Sequence, residues 1–133
     1  MKNDNLKIKI INSKEAPAAI GPYSQALVVG EFVFCSGQIG IDSKTSNLVK
    51  GIENQTKQIL ENLKNILEEA GSSLDKVIKT TIFLTNINDF QKVNEIYGQY
   101  FSSHKPVRST VCVASLPKGA LIEIEAIALR EKF

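Results

Sequence analysis

The octet Ile122-Glu123-Ile124-Glu125-Ala126-Ile127-Ala128-Leu129 constrains this chain more than any other stretch. Residues two apart in a strand share a face. Ile122, Ile124, Ala126 and Ala128 therefore form one unbroken apolar row, and Glu123, Glu125, Ile127 and Leu129 form a mixed one. A strand so patterned belongs in a sheet with one packed face and one half-apolar face. The stretch before it, Val107-Arg108-Ser109-Thr110-Val111-Cys112-Val113, also alternates, and with Leu116-Pro117-Lys118-Gly119 between them the two read as strands joined by a short turn. If the purely apolar rows of both strands face the core, Val111 and Val113 point inward, and Arg108, Thr110 and Glu123 emerge together on the opposite face.

Arg108 stands out in this pair. The chain has sixteen basic residues, of which only Arg108 and Arg130 are arginine. Arginine presents the planar, two-pronged donor set that matches a carboxylate. On spacing alone, Arg108 and Glu123 fit either a site or a structural ion pair. Other chemistry is sparse. His104 is the one histidine and lies in a polar loop, where it is expected to be solvated. Cys35 and Cys112 sit inside strand patterns and are expected to be reduced and buried. Without a CxxC pair or a histidine cluster, no protein metal site is expected.

A net charge of +2 with lysines scattered among acids offers no basic stripe for nucleic acid. No apolar run approaches a membrane span, and the polar, lysine-rich N-terminus lacks a signal-peptide core, so a cytoplasmic location is expected. At 133 residues the chain reads as a single domain, 1–133.

The rest follows in chain order. Lys7 to Ile11 alternates weakly as a first strand. Ala16 to Gln25, with Pro17, Gly21 and Pro22, is a shaped loop that carries Tyr23. Ala26–Val29 and Phe32–Gln38 read as a hairpin turning at Gly30-Glu31. Phe32, Phe34 and Ser36 share one face there, and Val33, Cys35 and Gly37 the other; Gly37 signals either a close approach or a bulge. Ile52 to Ala70 is a helix with the stripe Ile52, Ile59, Leu60, Leu63, Ile66, Leu67, Ala70, ended by Gly71. Val77 to Leu84 is a strand, apolar on Ile78, Ile82 and Leu84. Asn88 to Phe101 is a second helix, capped by Asn88 with Gln91. It buries Phe90, Val93, Ile96, Tyr97 and Phe101, and Asn94 at the stripe's edge is expected to satisfy a loop backbone.

Runs of strands broken by two helices predict an α+β fold, a mostly antiparallel sheet with two helices on one face. Nothing remains to cover the other face, which carries Ile127, Leu129, Cys112 and Phe32 or Val33. That implies a homo-oligomer packed sheet to sheet with sites at its seams.

Several segments together resemble the RidA/YjgF family of reactive-intermediate deaminases, from about Ala16 to the C-terminus. They are Ala19-Ile20-Gly21-Pro22-Tyr23-Ser24-Gln25-Ala26, Ser36-Gly37-Gln38-Ile39, Thr80-Thr81-Ile82-Phe83-Leu84, Ile87-Asn88-Asp89-Phe90, Val93-Asn94-Glu95-Ile96-Tyr97, Arg108-Ser109 and Leu116-Pro117-Lys118-Gly119 running into Ile122 to Ala128. The resemblance implies a chorismate-mutase-like homotrimer with clefts between subunits. It implies hydrolysis of 2-iminobutanoate and 2-iminopropanoate to 2-oxo acids and ammonia. Arg108 would grip the substrate carboxylate and Glu123 would handle water, with Tyr23, Gly37, Asn94 and Thr110 lining the cleft. Many members carry cysteine where this chain has Thr110, and alanine where it has Val107.

An imine is electrophilic once protonated, so no metal or cofactor is called for. Glu123 can take a proton from water if burial raises its pKa, whereas a nearby Arg108 would lower it. Two other readings accompany the family: an endoribonuclease or translation inhibitor, and a non-catalytic ligand-binding trimer.

Overall fold

The computed structural model describes residues 7–130. The polar N-terminal start and residues 131–133 lie outside the described residues. The strands are β1 (Ile8–Ile11), β2 (Ala26–Val29), β3 (Phe32–Ile39), β4 (Ile41–Asp42), β5 (Asn47–Leu48), β6 (Val77–Leu84), β7 (Val107–Cys112) and β8 (Ile122–Leu129). The helices are α1 (Ile52–Glu69) and α2 (Phe90–Tyr100). Six strands form one sheet in the order β1-β2-β3-β8-β6-β7, and β4 and β5 pair separately. Every pairing in the large sheet is antiparallel except β6 with β7.

The helix layer follows from connectivity. β3 and β6 both run antiparallel to β8, so they run parallel to each other, and α1 is the crossover between them. α2 is the crossover from β6 to β7. Crossovers have a strongly preferred hand, and both step in the same direction across the sheet, which puts both helices on one face.

The α1 stripe is buried as its spacing predicts, from Ile52 through Ile59, Leu60, Leu63, Ile66 and Leu67 to Ala70. Gly71 takes φ 77, and the Ser72 N–H reaches back to the Leu67 carbonyl at 2.8 Å, closing the helix. In β8, Ile122, Ile124, Ala126 and Ala128 lie beneath the helices with 0–3% exposure. Each large buried side chain of this kind contributes about 1.5–3 kcal/mol.

Five expectations need correction. β7 and β8 are not a hairpin, because β6 lies between them. The apolar row of β7 faces away from the helices, with Val107 67% and Val111 43% exposed. The register sets this: Arg108, Thr110 and Cys112 are opposite Thr80, Ile82 and Leu84, which are all buried under the helices. Cys112 is thus on the helix side of the edge strand and is exposed, whereas Cys35 is buried. In β6 an irregularity between Val77 and Lys79 puts Val77, not Ile78, into the core row with Ile82 and Leu84. Ahead of α2, Asn86 rather than Asn88 is the capping side chain: it caps a single 3-10 turn, Ile87–Asp89, by accepting from the Asn88 N–H at 3.0 Å, and α2 follows from Asp89 without a side-chain cap.

The uncovered face is as apolar as the alternation implies. Phe32 and Phe34 are 42% and 43% exposed, and Ile8, Ile10 and Leu129 join them. Val33 is instead fully buried on the helix side. Among the described residues nothing covers this face, and no helix is long and apolar enough to cross a membrane.

Candidate active site

Gln25 shapes the first wall of the site. Its buried side chain accepts from the Ser13 N–H at 2.6 Å and donates to the carbonyls of Ser13 and Pro17 at 3.1 and 2.9 Å. The Ser36 hydroxyl donates to the Ser24 carbonyl at 2.6 Å. These bonds tie the Pro- and Gly-containing loop to β3 and leave Tyr23 half-exposed beside it.

In β3 the register shifts between Cys35 and Gln38. This bulge turns Gly37 toward the side of the sheet that carries Glu123, not toward that of Cys35. A Cβ at Gly37 would lie 2.8 Å from the Glu123 carboxyl carbon and 3.0 Å from its Cγ. Gly37 is thus both bulge and close approach, and what approaches is the Glu123 side chain. Tyr23, Gly37, Glu123, Ile39 and Lys118 line one cleft of about 420 Å³. Burial raises the Glu123 pKa above the ordinary carboxylate value, and the like charge of Glu125 raises it further.

Arg108 lies elsewhere. Its Nη1 donates to Asn94 Oδ1 at 2.9 Å, and its guanidinium carbon sits 5.0 Å from the Tyr97 ring centre and 5.6 Å from that of Phe90. Asn94 therefore serves the arginine, not a loop backbone. Tyr97 is held from behind, its hydroxyl 2.7 Å from Thr80 Oγ1 and its ring centre 4.7 Å from that of Phe101, the two rings tilted by 41°. Thr80 is also the residue opposite Arg108 in the β6–β7 register, so one rung of the sheet carries both the arginine and the anchor of the ring beneath it. Thr110, one rung along on the same side, has a buried Oγ1 without a hydrogen-bond partner among the described residues. Asn94, Tyr97, Arg108 and Lys105 line a second, shallower cleft of about 360 Å³.

The six sequence-predicted residues thus form two groups. Tyr23, Gly37 and Glu123 are together on the open side of the sheet. Asn94, Arg108 and Thr110 are together at the edge formed by β7 and α2. Arg108 and Glu123 point to opposite sides of the sheet within one chain, so they are not an intrachain ion pair. Sequence reasoning gave Tyr97, Thr80 and Gln25 no part in the site. Tyr97 and Thr80 share faces with Arg108, but pairing a helix ring with a strand hydroxyl needs the parallel register of β6 and β7. His104, expected to be solvated, places a ring nitrogen against the Val77 carbonyl and fastens the loop before β7 to the start of β6. Among the described residues no group of three or more His, Cys, Asp or Glu is placed to hold a metal.

Comparison with known proteins places the chain in a family. The family model described as endoribonuclease L-PSP matches residues 13–130. A RutC family protein of Pyrococcus abyssi is 54% identical over 124 residues, covering 92% of this chain and 98% of that one. The 2-iminobutanoate/2-iminopropanoate deaminase of Homo sapiens is 50% identical over 123 residues, covering 92% and 90%. The crystal structure of E. coli TdcF with bound serine superposes with a TM-score of 0.89 at 46% identity, covering 92% and 99%. With one family model spanning nearly the whole chain and close relatives matched end to end, the chain belongs to the endoribonuclease L-PSP family, the RidA/YjgF family whose motifs it carries.

Proposed function

We propose that this protein hydrolyses reactive 2-imino acids, 2-iminobutanoate and 2-iminopropanoate among them, to 2-oxo acids and ammonia. The observation that carries the mechanism is the split site: a held arginine at the sheet edge and a carboxylate of raised pKa on the open face, each in its own cleft. Imine hydrolysis needs both, one to grip the substrate carboxylate and one to manage water. A single chain keeps them on opposite sides of its sheet, so the site is completed between copies. The chain folds as one chorismate-mutase-like domain and assembles as a homotrimer. The apolar open face supports this, since it awaits contacts from outside the chain.

In this site the Arg108 fork of one copy holds the substrate carboxylate through paired, charge-assisted hydrogen bonds. Asn94, Tyr97 and Phe90 hold the guanidinium in place and lower the cost of ordering it. Thr110 and, from the next copy, Tyr23 and Gly37 line the cleft. Glu123 accepts a proton from water as the water oxygen bonds to C2 and the C=N π pair moves to nitrogen. The product is a tetrahedral 2-amino-2-hydroxy acid. Glu123 returns that proton to nitrogen, the C–N bond breaks, and the hydroxyl proton passes through Glu123 to the departing ammonia. A protonated imine and water thus give a 2-oxo acid and ammonium. A carboxylate of raised pKa is the stronger base once ionised, and a pKa nearer neutrality keeps both its base and its acid form populated for the two proton transfers. No metal or cofactor enters the scheme.

Two comparisons support the reading. A relative 50% identical is named for this activity, and a relative of the same fold has been crystallised with bound serine. The expected role is cytoplasmic removal of reactive imines. The family description also names an endoribonuclease, but the lone imidazole of His104 is engaged with the Val77 carbonyl and the net charge is +2. The test generates 2-iminobutanoate in situ with an amino-acid oxidase and follows its disappearance. Acceleration over buffer that is lost in Arg108→Ala supports the proposal. No acceleration by folded protein, or RNA cleavage that needs Arg108, overturns it.

A further inference from the structure

The turn before β8 has an unexplained residue. Lys118 and Gly119 take left-handed φ values of 59 and 69, and the Ala120 N–H donates to the Pro117 carbonyl at 3.0 Å. This is a mirror-image turn, whose two central positions favour Asn, Asp and Gly. Gly119 meets that demand. A long side chain at Lys118 does not, and a non-glycine residue held there carries strain that points to a use elsewhere. Among the described residues the Lys118 ammonium has no hydrogen bond or ion pair to account for it.

Its surroundings suggest the use. Lys118 lines the Glu123 cleft and also an adjoining depression with Lys14, Ser13, Ser43 and Ser46, where Tyr23, Gly37 and Glu123 do not reach. It therefore stands where the two depressions meet, as do Ile20 and Ile41. The same cleft is lined by the apolar Ile20, Ile39 and Ile41. Within one chain the cleft of about 420 Å³ is not filled by side chains. Nor is the lysine charge committed to the catalytic carboxylate, whose pKa is raised by burial and by Glu125.

We propose that Lys118 lets this cleft take 2-imino acids whose side chain ends in a second carboxylate, the ammonium pairing with that distal group while Arg108 of a neighbouring copy holds the first. The reaction is unchanged: water adds to the same C=N bond, and the products are a 2-oxo dicarboxylic acid and ammonia. The inference rests on the imine-hydrolysis reading and adds a substrate class to it.

The test compares kcat/KM for 2-iminoglutarate, generated in situ by a glutamate oxidase, with that for 2-iminobutanoate, in the assembled wild type, Lys118→Asn and Lys118→Arg. Wild type is expected to hydrolyse both. Lys118→Asn should lower the ratio of the two values by about tenfold, mainly through KM for the dicarboxylate. Because asparagine suits the left-handed turn, its thermal midpoint should match or exceed that of wild type. Lys118→Arg should keep most of the ratio. A ratio unchanged in Lys118→Asn, or an equal loss on both substrates, overturns the assignment. Wild type that hydrolyses 2-iminobutanoate but not 2-iminoglutarate also overturns it, leaving the proposed function standing. Hydrolysis of neither overturns both.

Discussion

Gly37→Ala separates the catalytic account from a structural one. Gly37 does not hold a left-handed φ, so alanine brings no backbone strain there; it brings only volume. The new Cβ would sit 2.8 Å from the Glu123 carboxyl carbon and 3.0 Å from Cγ. Ordinary carbon–carbon contact is about 3.5–4.0 Å, so the carboxylate must retreat by roughly 1 Å. The part that must move is the end of a flexible side chain in a cleft, and the cost to folding is small, within about 1 kcal/mol. A 1 Å misplacement of a catalytic group costs on the order of a hundredfold in rate. Gly37→Ala is therefore expected to keep its thermal midpoint within a few degrees and its assembly state, yet lose about two powers of ten in kcat on 2-iminobutanoate. KM should change little, because the Arg108 half of the site is untouched. Combining it with Glu123→Gln should add almost nothing, since both act on one carboxylate. A folded, assembled Gly37→Ala with kcat within a few-fold of wild type would refute the reasoning and remove Glu123 from the chemistry.

Three further outcomes are expected. Arg108→Lys keeps charge but loses the fork and its place between two rings; kcat/KM should fall about ten- to a hundredfold, with Asn94→Ala showing a smaller loss in the same direction, and wild-type kinetics in Arg108→Lys would contradict the grip assigned to it. The raised Glu123 pKa means that ionising this group opposes folding, so its favourable contribution is present below the ordinary carboxylate pKa and is lost as pH rises through the raised one. Glu123→Gln should accordingly melt above wild type at neutral pH, converge with it in acid, and abolish the rising limb of activity with pH; a variant that melts lower at neutral pH would show that the carboxylate is a structural partner. Cys112→Ser and Thr110→Cys should both keep most activity, because the scheme uses no thiol, while burial pushes the Cys35 thiol up to about 12 and shields it from alkylation. A hundredfold loss in assembled Cys112→Ser would bring the thiol into the mechanism.

Much of the fold was legible because packing leaves a periodic trace. The 3.6-residue stripe of α1 and the two-residue alternation of β8 record faces covered by the chain's own helices. β7 broke the same logic. Its valines form an apolar row, but that row lies on the open side, so alternation gave the parity of Arg108 without saying which side was the core. Placing β6 between β7 and β8 was equally hidden, since adjacency in sequence suggested a hairpin. The bulges in β3 and β6 shift parity by local geometry that residue type barely marks, although Gly37 did mark one of them. Arg108, Thr110 and Glu123 stood out from strand alternation and the scarcity of arginine, and the family motifs added Tyr23, Gly37 and Asn94 to the cleft. Their division into two groups could be seen only once the register set Arg108 opposite Thr80 and Glu123 opposite Phe83 and Ile39.

The central claim, that Arg108 and Glu123 meet only between copies, can be tested by subunit complementation. Arg108→Ala and Glu123→Gln chains with different tags are co-expressed in equal amounts, and assemblies carrying both tags are isolated. Each variant alone should be inactive on 2-iminobutanoate. In randomly mixed rings each seam needs an intact Arg108 from one chain and an intact Glu123 from its neighbour, so about one quarter of wild-type activity should return before tag selection, and more after it. Mixed assemblies as inactive as the parent variants would contradict the account.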